Sequence, residues 1–71
     1  MKVLVFKTNI KYKKQVKAIH PYLQNLGGLY RWNVDLQDRD KILRIETKDL
    51  LPGDIENVIC KAGYSCQELI D

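Results

Sequence analysis

The side chains in this sequence that could hold a soft metal ion are Cys60, Cys66 and the single histidine, His20. The cysteines read C-x5-C, which is neither a zinc-binding nor a dithiol-redox spacing. A metal site made from them needs the two sulfurs to converge and a third ligand, for which His20 is the available choice. The plainer reading is two thiols that pack as small hydrophobes and a histidine on the flank of a helix. A second constellation is cationic. Lys7, Lys11, Lys13, Lys14 and Lys17 follow one another closely, with no acid before Asp35. Such a run suits either a solvated helix face or a surface that docks on acidic groups. Neither a nucleophile–base pair, a glycine-rich phosphate loop nor a motif-placed pair of carboxylates is recognisable, and the acylphosphatase-type Arg/Asn signature is missing from the first loop. The chain therefore reads as non-enzymatic.

The elements that must position these groups follow from periodicity. Lys2–Thr8 is rich in Val, Leu and Phe and predicts a strand. Leu4, Phe6, Thr8 and Ile10 share one parity, while Val3 and Val5 share the other. From about Tyr12 the period changes: Val16, Ile19, Leu23 and Leu26 form one face of an amphipathic helix that Gly27-Gly28 should end. Pro21 lies inside it and predicts a kink or widening, because it removes an amide and crowds the Lys17 carbonyl. Leu29–Leu36 alternates, with Tyr30, Trp32, Val34 and Leu36 expected inward and Arg31, Asn33 and Asp35 outward. The polar turn Gln37–Asp40 leads to a strand over Lys41–Thr47, with Leu43 and Ile45 inward. Pro52 suits the first position of a second helix, Asp54 suits its positive end, and Ile55, Val58, Ile59 and Ala62 form its stripe before Gly63. Tyr64–Ile70 predicts a last strand.

The order is βαββαβ. Two right-handed crossovers around a hairpin give an α+β, ferredoxin-like fold: a four-stranded antiparallel sheet with two helices on one face. With 71 residues, 45% hydrophobic and 30% charged, the chain predicts one domain, residues 1–71, with little core to spare for a large cavity. No apolar run is long enough to cross a bilayer, and the short Met1–Phe6 run reads as a strand and not a leader, so a cytoplasmic location is expected. The charge is uneven. Residues 1–34 hold seven Lys/Arg and no acid, residues 35–71 hold five Lys/Arg and nine acids, and the halves, +7 and −4, sum to +3.

Several stretches resemble heavy-metal-associated (HMA) domains, the family of copper metallochaperones. Leu23-Gln-Asn-Leu26-Gly-Gly-Leu29 resembles the end of their first helix. Trp32-Asn-Val34-Asp-Leu36 with Lys41-Ile-Leu43-Arg-Ile45 resembles their hairpin, and Lys61-Ala-Gly-Tyr64 resembles their turn into the last strand. Phe6-Lys-Thr-Asn-Ile10 resembles the approach to their metal loop. The family binds copper(I), or zinc, through a C-x-x-C pair between the first strand and first helix. The resemblance places those cysteine positions on Tyr12 and Gln15, within a degenerate loop reading Ile10-Lys-Tyr12-Lys-Lys-Gln15. Neither residue supplies a thiolate, and Lys11, Lys13 and Lys14 add positive charge where a cation would sit. No metal or other cofactor is expected there; copper or zinc on a non-standard set such as Cys60 and Cys66, with His20, is the alternative.

The resemblance also implies that basic residues around the loop dock on acidic partners, which nominates Lys11, Lys13, Lys14 and Lys17. Tyr64, in the neighbouring turn, is expected to pack over Ile10 and Tyr12 and fill the vacated position. Protein interaction or regulation is thus the leading function. RNA-recognition domains share the fold but stack bases on aromatics of the sheet's outer face. The outer positions here, Val3, Val5, Arg31, Asn33, Asp35, Ile42, Arg44 and Glu46, include no aromatic and two acids, which weighs against nucleic acid. Val3, Val5 and Ile42 could instead support a homodimer through the sheet face. Trp32 has core parity and reads as packing.

Overall fold

The computed structural model describes residues 1–70, in the order β1 (Lys2–Thr8), α1 (Lys13–Gln24), β2 (Leu29–Asp35), β3 (Ile42–Thr47), α2 (Pro52–Lys61) and β4 (Cys66–Glu68). The sheet order is β2-β3-β1-β4, and every pairing is antiparallel. One parity of the central strands supplies Leu4, Phe6, Leu43 and Ile45, all buried. The helices close over that face with Ile19 and Leu23 from α1 and Ile55 and Ile59 from α2, in one continuous core. Both helices therefore cover the same side of the sheet, as the βαββαβ order requires.

Ile10 belongs to this core although it lies past the end of β1, with no exposed surface. It continues the inward parity of the strand and anchors the start of the β1–α1 loop. Thr8 holds the same corner. Its hydroxyl donates to the Lys41 carbonyl at 2.6 Å and accepts the Ile10 amide at 3.2 Å. Thr47 does the equivalent at the other end of the sheet, donating to the Gly28 carbonyl at 2.7 Å and accepting the Leu50 amide at 3.1 Å.

The structure departs from the sequence-based expectations at several boundaries. Helix α1 passes through Pro21 as one element and ends at Gln24, before the glycine pair. The Leu26 amide closes it on the Leu23 carbonyl at 3.0 Å, and the left-handed Gly28 (φ 87°) then turns the chain into β2. Tyr30 does not face inward: its side is 60% exposed. Leu29 pairs with Thr47 and Arg31 with Glu46, so β2 carries one extra residue there, a bulge. The bulge puts Leu29 in the inward phase and turns Tyr30 out. Strand β2 stops at Asp35, leaving the half-buried Leu36 to the turn, and β3 starts at Ile42 because Lys41 adopts a left-handed φ of 50°. Strand β4 is three residues long, not seven, although the Leu69 amide still reaches the Val5 carbonyl at 2.9 Å.

The outer face is as expected at Val3, Val5 and Ile42, but the outturned Tyr30 adds an exposed aromatic that strand alternation places inward. Val3 pairs across from Glu46, Val5 from Arg44, and Ile42 sits between Lys7 and Asp35. Among the described residues, no helix is long and apolar enough to cross a membrane.

Candidate functional site

The loop Ile10–Gln15 joins the middle of the sheet to α1. Buried Ile10 fixes its entry, and the extended Tyr12 (φ −129°, ψ 153°) fixes its exit as the residue before the first helical turn. A helix start leaves backbone amides without partners. Here the Gln15 side chain meets that need: its Oε1 accepts the Lys11 amide at 2.7 Å and the Tyr12 amide at 3.1 Å. Gln15 itself donates its backbone amide to the Tyr12 carbonyl at 3.0 Å. The turn is the reaching-back half of a capping box, with Gln at the third helical position. The two residues that the resemblance sets at the cysteine positions are thus the two that define the loop's hydrogen bonding.

Lys11, Lys13, Lys14 and Lys17 are all exposed, and among the described residues none of them is in an ion pair. Lys7 differs, since its ammonium lies 3.9 Å from an Asp40 carboxylate oxygen in the β2–β3 turn. That turn is drawn to the loop because the Thr8 amide donates to the Asp40 carbonyl at 3.1 Å. The α2–β4 turn joins the same end of the sheet. The Ser65 amide donates to the Asn9 side-chain oxygen at 2.9 Å, and the Asn9 amide donates back to the Ser65 carbonyl at 3.3 Å. Beside that crossing lies a shallow cleft of about 350 Å³ lined by Lys7, Thr8, Asn9, Ser65, Cys66 and Gln67.

Tyr64 is half-buried against the core, whereas Tyr12 is 58% exposed. Among the described residues the ring–ring contact is a different one: His20 tilts against Trp32, with centroids 6.0 Å apart at 50°. His20 is exposed on α1, and its imidazole covers the half-buried indole of β2. Sequence reasoning missed this pair because it depends on how α1 crosses β2.

The structure does not bring His20 to the cysteines. His20 lies against β2 and Cys66 lies on β4, at opposite edges of the sheet. Among the described residues, no group of three or more His, Cys, Asp or Glu side chains stands close enough to hold a metal ion. Cys60 is exposed and Cys66 half-buried, and both are free thiols. Burial pushes the Cys66 thiol up to about 12, with the Glu56 carboxylate and Cys60 adding to the effect.

Against solved structures the chain superposes on domains that handle copper. A copper transporter domain from yeast, Ccc2a, matches with a TM-score of 0.84 at 15% identity, over 100% of this chain and 99% of that one. The copper-binding domain of the P-type ATPase HMA7 matches with a TM-score of 0.83 at 16% identity, over 99% and 96%. The apo HMA domain of a copper chaperone for superoxide dismutase matches at 0.79 and 19% identity, over 96% of this chain and 66% of that chain. This chain has the fold of HMA domains. No protein-family model and no curated protein sequence matches it. One further match is a complex between two proteins, Atx1–Cu(I)–Ccc2a, with a TM-score of 0.80 at 15% identity over 100% of this chain and 99% of that one.

Proposed function

We propose that this HMA-like domain is a non-enzymatic protein-interaction or regulatory module that works in the cytoplasm without a metal in its loop. Its docking surface is the β1–α1 loop with the first turns of α1, and its partner presents an acidic protein surface. The observation that carries the reading is the closed loop. The Gln15 carboxamide occupies the two amides of Lys11 and Tyr12, and four exposed lysines, in no ion pair among the described residues, stand around it. A cation approaching that loop meets ammonium groups and no thiolate, whereas an array of carboxylates meets complementary charge on a preformed scaffold. The complex formed by the Atx1 and Ccc2a neighbours supports the idea that domains of this shape meet other proteins.

The test is a charge-reversal series, K11E, K13E and K14E, singly and combined, used as bait in pull-downs. The combined variant should lose the wild-type partner while keeping the wild-type circular dichroism spectrum. Unchanged capture overturns the electrostatic reading. A copper(I) competition titration against a strong chelator addresses metal carriage, which the copper-handling neighbours favour. Transfer of copper to the wild-type chain would replace the proposal with metal binding through Cys60 and Cys66.

A further inference from the structure

The two cysteines, unremarkable in spacing, lie at the same end of the packing of α2 on β4. One hydrogen bond fixes the register of that packing. The Glu68 amide on the free edge of β4 donates to the Glu56 carboxylate of α2 at 3.2 Å. Glu56 and Cys60 are four apart on α2 and so share one side of the helix, with Cys60 about 6 Å further along its axis. Glu68 and Cys66 are two apart on β4 and so share one face of the strand, with Cys66 roughly 6.7 Å back toward the α2–β4 turn. The two elements run antiparallel through a tight turn. In it the Gly63 amide bonds the Cys60 carbonyl at 3.0 Å and the Tyr64 amide bonds the Ile59 carbonyl at 3.1 Å. Both displacements therefore lead in the same direction by nearly the same amount. Where Glu56 meets Glu68, Cys60 meets Cys66. The electrostatic effect of Cys60 on the Cys66 thiol agrees with that proximity.

We propose that Cys60 and Cys66 form a reversible intramolecular disulfide that clasps the end of α2 to the edge strand. The oxidant is a small disulfide of the glutathione class. The exposed Cys60, as its thiolate, attacks one sulfur of the oxidant, forming a mixed disulfide and releasing one glutathione thiolate. Cys66 gives its proton to a solvent base, and its sulfur attacks the Cys60 sulfur. The protein disulfide forms, the mixed disulfide breaks and the second glutathione thiolate leaves. One oxidised glutathione is reduced to two thiols, and the two protein thiols become one disulfide. Burial keeps Cys66 protonated near neutral pH, so closure should quicken as the solution is made more alkaline. Reduction reverses the same exchanges, and attack at the exposed Cys60 sulfur should be slow because Cys66, reluctant to ionise, is the leaving group. The closed loop spans Cys60 to Cys66, containing Lys61 and Tyr64 beside the lysine-bearing end of the sheet.

The test equilibrates the full native chain with defined ratios of oxidised and reduced glutathione, quenches with acid and counts free thiols by alkylation and intact mass. The expected product is a monomer that has lost two hydrogens and takes up no alkyl group. C66S should instead hold one glutathione on Cys60. The same titration in urea measures the pair in the unfolded chain. The effective concentration of the pair should be higher in the native chain, on the order of tenfold or more, as for a loop closure that the fold favours. A persistent glutathione adduct on the wild type, a disulfide-linked dimer, two free thiols at high oxidant, or a native effective concentration at or below the unfolded one would each overturn the proposal.

Discussion

Gln15→Ala is the substitution that isolates the loop's internal bonding. The wild-type oxygen accepts two amides, from Lys11 at 2.7 Å and Tyr12 at 3.1 Å. Both bonds are exposed, so water can take over the amides and the full cost of an unsatisfied buried group does not arise. What is lost is the net value of a helix cap, about 1 kcal/mol. Gln15→Glu keeps an acceptor at the same position and adds negative charge to the positive end of α1, among Lys11, Lys13 and Lys14. That charge is worth a further 0.3–1 kcal/mol or so at low salt. The order of thermal stability should therefore be Glu above Gln above Ala. About 1 kcal/mol moves the melting midpoint of a domain this size by roughly 4–8 °C. Calorimetry at neutral pH in low salt and in 0.5 M salt checks the order, and the Glu advantage should shrink in salt. An Ala variant as stable as the wild type would show that Gln15 does not hold the loop. A Glu variant less stable than the wild type at low salt would refute the electrostatic half of the reasoning.

Four other perturbations have defined outcomes. Ile59→Ala removes a fully buried side chain between α2 and the sheet and should cost about 2–5 kcal/mol in a urea titration, with an unchanged slope. Thr47→Val keeps the volume but takes the acceptor from the Leu50 amide and leaves the Gly28 carbonyl only the long 3.5 Å bond from the Lys48 amide; equilibrium unfolding should show a loss of roughly 1–3 kcal/mol. The folded state raises the Cys66 thiol from 9.0 to about 12, so the proton it holds favours the native chain fully below pH 9 and progressively less as pH rises toward 12. The stability of wild type relative to C66A, measured in reductant, should accordingly fall across that window and stay flat below it. Tyr12→Cys with Gln15→Cys restores a thiolate pair at the loop, and this double variant should take copper(I) from a chelator that the wild-type loop leaves loaded.

The fold was legible because its core obeys simple periods. Leu4 and Phe6 on β1, Leu43 and Ile45 on β3, Ile19 and Leu23 on α1, and Ile55 and Ile59 on α2 all occupy the buried phase that spacing assigned them. Tyr30 was misread because alternation assumes one residue per partner residue. The bulge opposite Glu46 and Thr47 breaks that assumption, and only the pairing with β3 reveals it. The end of α1 was misplaced for a related reason: glycine marks where the left-handed turn falls, at Gly28, and not where the last helical hydrogen bond falls. Gln15 could have been found from its place three residues after the helix boundary. The cue was hidden because Tyr12, and not Ser, Thr, Asp or Asn, precedes the helix. His20 with Trp32 was not readable at all, because that pair depends on the register of a helix on a strand, which no local pattern encodes.

If the β1–α1 loop is the docking surface proposed above, its closed backbone and its lysines divide the work in a way that can be separated. The loop's backbone is set by Ile10, Tyr12 and Gln15, so a partner does not have to order it, and that entropy is already spent in folding. The lysines are long and exposed, among the described residues they are in no ion pair, and they would supply attraction without shape. Charge reversal at Lys11, Lys13 and Lys14 should therefore slow association and weaken its salt dependence without lowering the melting midpoint, which should rise at low salt because Lys13 and Lys14 open the positive end of α1. Loss of the Gln15 cap should do the reverse: it lowers the midpoint, preserves the salt dependence, and weakens binding only by the cost of re-forming the loop, at most about 1 kcal/mol. If both changes altered stability and salt dependence alike, loop and charge would not be independent features, and the docking surface would have to be sought elsewhere on the sheet.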